Sequence, residues 1–102
     1  MSGSYIEVDG VPAEEPDLMK WATEFRGADR TVKKTTIGDI LVSTVFLGLD
    51  HQWGEGPPLL YETMVFGGDF DEICERFSTR DGAILGHQQV VDLVRTKMGE
   101  SE

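Results

Sequence analysis

The chain has 102 residues, which suits one domain with one hydrophobic core. Of these, 39% are hydrophobic, which argues against disorder, and no apolar run approaches the ~20 residues of a membrane span. Nineteen acidic residues against nine basic ones give a net charge of −10, which repels phosphate backbones and argues against a general nucleic-acid binder. That acidity either keeps the chain soluble or draws it to a basic surface on a partner protein. No basic-then-apolar leader opens the sequence, so a cytoplasmic protein is expected. The single cysteine, Cys74, excludes a disulfide framework and a cysteine-based zinc site, and its place in a strand pattern points to plain packing.

Tyr5 to Asp9 alternates apolar and polar residues, as a half-buried strand does. Asp9-Gly10 signals a turn, and Pro12 keeps the next segment from being a central strand. Pro16 suits a first helical position, with Glu14, Glu15 and Asp17 at the positive end of the helix dipole. Leu18, Trp21, Ala22 and Phe25 then fall on one helical face, and Gly27 stops the helix. Arg30 to Ile37 is rich in β-branched residues and turns at Gly38-Asp39 into a strand running from Ile40 to Leu49. Lys33 and Lys34 mark the first of these two as solvent-facing or at an edge.

The Ile40–Leu49 strand is apolar on both faces, with Leu41, Ser43, Val45, Leu47 and Leu49 on one and Ile40, Val42, Thr44 and Phe46 on the other. After a Gly/Pro loop over 51–58, Leu59 to Gly67 places Leu60, Glu62, Met64 and Phe66 on one side and Tyr61, Thr63 and Val65 on the other. Ile73 to Phe77 is a last short strand. Ser78 or Thr79 caps a helix to about Met98, with Ala83, His87, Val90, Val91, Val94 and Met98 on one face. The expected fold is a single α+β domain: an antiparallel meander of four to five strands with an N-terminal and a C-terminal helix packed on it, and frayed ends at 1–4 and 99–102.

Residues 42–68 (VSTVFLGLDHQWGEGPPLLYETMVFGG) and 75–91 (ERFSTRDGAILGHQQVV) together resemble a family of small uncharacterised bacteriophage and prophage proteins. The shared look is a strand ending in Leu-Asp-His, a Gly/Pro loop, a Glu-Thr-Met-Val-Phe-Gly strand and a closing Gly-His helix. Phe77 departs from it, standing where a tyrosine is expected. The resemblance implies a phage or prophage origin, hence a bacterial host cell, and brings no named activity.

His87, near the centre of an apolar helix face, must find hydrogen-bond partners, because an unpaired buried ring costs about 1–3 kcal/mol. Glu62, a carboxylate among Leu60, Met64 and Phe66, is the expected partner, with Arg76 joining them in a polar core. An acid–base pair or a ligand-binding role for the two are the alternatives. Asp50 and His51 at a strand end, with Glu55 or Glu62, lack true ligand spacing, so no metal and no cofactor are expected. Trp53 in the loop is a candidate contact residue, and Asp69, Asp71, Glu72 and Glu75 form the densest acidic cluster, a candidate partner-facing patch.

The leading expectation is a non-enzymatic accessory protein that binds a basic host protein or complex, as an acidic anti-defence inhibitor of the anti-CRISPR kind would. The second is a small-molecule binder whose sheet-lined pocket gathers His51, Trp53, Glu62 and His87. A small enzyme using Glu62 and His87 is the third. Two apolar faces on one strand, with helices for one of them, further predict a homodimer.

Overall fold

The computed structural model describes residues 3–27, 29–50 and 55–99. In chain order they form β1 (Tyr5–Val8), β2 (Val11–Glu14), α1 (Leu18–Gly27), β3 (Thr31–Ile37), β4 (Ile40–Phe46), β5 (Tyr61–Phe66), a 3-10 turn at Gly68–Phe70, β6 (Cys74–Phe77) and α2 (Arg80–Lys97). The fold is α+β, with a four-stranded antiparallel meander in the order β3-β4-β5-β6 and a separate two-stranded hairpin, β1-β2. The frayed ends expected at 1–4 and 99–102 fall in part outside the described residues.

Turn chemistry sets the hairpins. Asp9 and Gly10 both adopt positive φ, 55° and 82°, which is the backbone of a two-residue hairpin loop whose twist matches its strands. Pro12 is tolerated opposite Glu7 because β2 pairs on one side only. Gly38, at φ 59°, closes the β3–β4 hairpin. β4 stops at Phe46, and Gly48 (φ 78°) redirects the chain so that Leu49 bridges to Ser4 and ties the hairpin to the end of the meander.

α2 packs across the meander. Thr79 caps it by accepting from the Gly82 N–H, and Ala83, Gly86, His87, Val90, Val91 and Val94 are its buried residues. The last three pack on Ile37, Ile40, Val42 and Val65. Each valine so enclosed contributes roughly 1.5–2 kcal/mol. A Cβ on Gly86 would sit 2.2 Å from Phe77 Cζ, so glycine here leaves room for the Phe77 ring to lie against the helix. The face under α2 carries Val42, Thr44, Phe46, Tyr61, Thr63 and Val65, all buried. On the opposite face Leu41, Val45 and Met64 are half-buried, and Phe66 is 47% exposed.

α1 departs from expectation both in where it starts and in how deeply it sits. It starts beyond Pro16, because the Asp17 carboxylate caps it by accepting from the Met19 and Lys20 N–H groups. No residue of α1 is buried, and Leu18 lies 65% exposed outside the apolar face assigned to it. What anchors the helix is aromatic: the Trp21 indole N–H donates to Tyr5 O, Trp21 stacks on Phe25, and Phe25 tilts against Phe46. Through Phe25 it adds to a second core cluster of Phe46, Leu60, Tyr61 and Ala83.

Candidate functional site

Three polar clusters are built into this frame, and they do not coincide. The first surrounds His87. Its ring is fully enclosed, with Nδ1 2.7 Å from Thr44 Oγ1 and Nε2 2.8 Å from Thr35 Oγ1. Thr44 Oγ1 lies 2.5 Å from Thr63 Oγ1, so three neighbouring strands each supply one hydroxyl to a chain that the helix closes. Burial pushes the His87 pKa down, and the positive charge of Lys33 pushes it the same way, so the ring is neutral near pH 7. One ring nitrogen then donates and the other accepts, which hydroxyls satisfy in either tautomer.

This corrects the expected Glu62–Arg76–His87 core. Glu62 lies in the other phase of β5, on the face away from α2, where its Oε2 accepts from Arg76 Nε at 3.0 Å and from Cys74 Sγ at 3.4 Å. Glu62 and Arg76 are therefore a cross-strand pair at the sheet's open face, and His87 belongs to a separate network. An acid–base pair of Glu62 and His87 is not assembled, nor can the two line one pocket. Cys74 is exposed, contrary to plain packing; desolvation and the Glu62 carboxylate raise its thiol pKa.

The second cluster was missed in the sequence. Glu7 of β1 accepts from the Tyr61 hydroxyl and, through both oxygens, from Arg80 Nη1 at 3.1 Å. It joins the hairpin, the start of β5 and the start of α2. Burial and the Glu7 carboxylate together raise the Tyr61 pKa far above its ordinary value. The only advance signal was Glu7 in the middle of an alternating strand.

The third is the acidic edge. Asp69, Asp71, Glu72 and Glu75 are all exposed along the β5–β6 connection and on β6, the last strand of the meander. Asp71 also accepts from the Gly67 N–H, which holds the turn. Among the described residues, no lysine or arginine forms an ion pair with any of the four.

His51 and Trp53 lie outside the described residues. Asp50 holds the far end of their loop by accepting from the Leu59 N–H. Among the described residues, no three His, Cys, Asp or Glu side chains are grouped to hold a metal ion, and no helix is long and apolar enough to cross a membrane. Comparison with protein-family models, curated proteins and solved structures gave no match.

Proposed function

We propose that the protein acts by binding a partner protein with a basic surface, and that the acidic edge of β6 makes the contact. The supporting observation is that Asp69, Glu72 and Glu75 are exposed and form no ion pair among the described residues, so their charge is available to another molecule. Charge of this kind steers association and selects partners by sign. A protein that binds nucleic acid offers such a surface where phosphates would lie. In that setting the chain is a competitor for the phosphate site, the role of a phage-encoded inhibitor of a host defence complex.

The test combines salt with charge reversal. Tagged protein is used to capture partners from phage-infected bacterial lysate, and each captured partner is titrated at rising ionic strength. Asp69, Glu72 and Glu75 are changed to Lys together, sparing Asp71 because of its turn bond. Affinity is expected to fall steeply between about 0.1 and 1 M salt, as the screening length shrinks from ~10 to ~3 Å. The triple variant should lose at least tenfold in affinity. Binding that is indifferent to both salt and charge reversal would sink the proposal.

A further inference from the structure

A cavity of about 280 Å³ opens between the β1–β2 hairpin, α1 and the end of β4, away from the acidic edge. Ile6, Phe25 and Phe46 make its apolar wall, and Glu7, Glu24, Asp29 and Arg30 its polar one. That volume falls just below the usual range of ligand sites, about 300 to 1,000 Å³, and suits a guest of side-chain size.

The polar wall selects the guest's charge. Glu7 Oε2 accepts from both Tyr61 and Arg80, whereas Oε1 accepts only from Arg80 among the described residues, which leaves a lone pair on a mostly enclosed carboxylate. Asp29 uses Oδ1 for the Thr31 N–H, and Glu24 stands exposed on α1. Arg30 neutralises neither of them, since its guanidinium lies 4.6 Å from the Phe25 ring centroid and forms no ion pair among the described residues. Three carboxylates thus outnumber the guanidiniums of Arg30 and Arg80.

We propose that this cavity binds one alkylammonium or alkylguanidinium group, its apolar stem against Phe25 and Phe46 and its cation between Glu7 and Glu24. The guest is a free small amine or a lysine or arginine side chain of another protein; both carry the same chemistry. The site stands independently of the acidic edge.

Butylguanidinium is the probe, titrated into the ¹⁵N-labelled full chain and followed by amide chemical shifts, with pentanoate as the anionic control of equal stem. Saturable shifts are expected at Ile6, Glu24 and Phe25 with the cation alone. Glu24→Gln should weaken binding about threefold and Arg30→Gln should tighten it by a similar factor, the effect of one exposed charge. Both side chains are exposed, so the variants remain folded. A peptide with a single arginine flanked by Gly and Ser separates the sources. If it shifts the same amides, the guest is a protein side chain; if only butylguanidinium does, the guest is a free amine. No shifts with either cation, equal shifts with pentanoate, or the same direction of change in both variants would overturn the proposal.

Discussion

His87 is a fully buried residue of α2 and bonds it to two strands of the meander. Replacing His87 with Ala empties a fully enclosed site and takes one hydrogen-bond partner each from the Thr35 and Thr44 hydroxyls, which should cost ~2–4 kcal/mol and lower the melting midpoint by on the order of 10–20 °C. An unchanged midpoint would mean that the ring is not enclosed. The same residue sets a pH dependence. Its folded pKa is lowered, so between that value and the unfolded value of ~6.5 the unfolded chain binds the extra proton. Stability is therefore fully present above pH ~6.5, falls as pH drops through the window, and levels off below the folded pKa. The difference in midpoint between the native chain and His87→Asn, measured from pH 7.5 to 5, should narrow with acid and isolates this contribution from the carboxylates.

That His87 is buried and bonded was legible, because a polar ring amid Ala83, Val90, Val91 and Val94 has few other fates. Its partners were not. Period-two alternation separates the two faces of β5 correctly but does not say which face receives the helix, and Glu62 drew attention to the wrong one. Thr35, Thr44 and Thr63 looked like ordinary strand formers, since β-branched residues are expected there whether or not their hydroxyls are used. The telling sign was two threonines, Thr44 and Thr63, in phase with Val42, Phe46, Tyr61 and Val65.

At the scale of elements, the meander and α2 were legible from Gly38, the alternating strands and the Thr79 cap. The hairpin's independence was not, because its docking rests on the Ser4–Leu49 bridge and on Glu7, Tyr61 and Arg80, groups separated by up to 73 positions. Glu7→Ala should cost about 1–3 kcal/mol, chiefly by leaving the Tyr61 hydroxyl without its acceptor. Adding Tyr61→Phe removes the orphaned group, so the double variant should be little worse than Tyr61→Phe alone in thermal unfolding. Strictly additive losses would show that the two side chains act independently. α1 ends where expected, at Gly27, but starts later and sits shallower, since a periodic apolar face does not reveal how much sheet is left for it to cover.

For the whole molecule, both helices belong to one side of the meander, which is the arrangement expected from a strand with two apolar faces and helices for only one of them. α2 takes one face, and α1 reaches only the margin of the same core through Phe25. The other face presents Phe66, Leu41, Val45 and Met64 with the Glu62–Arg76 pair beside them. Self-association there should give a light-scattering mass that rises above 11.3 kDa with concentration, and Phe66→Lys should return it to that of one chain. A constant mass of one chain for the native protein would exclude the dimer. Because α1 has no fully buried residue whereas α2 has six, lifting α1 from the hairpin disturbs less of the core than lifting α2 would. The amides of α1 should therefore exchange with solvent hydrogen through local openings, while those of β4, β5 and α2 exchange only when the molecule unfolds globally. The protein thus has one end that breathes and one that stays shut, and a partner that needs α1 moved aside asks far less of it than unfolding.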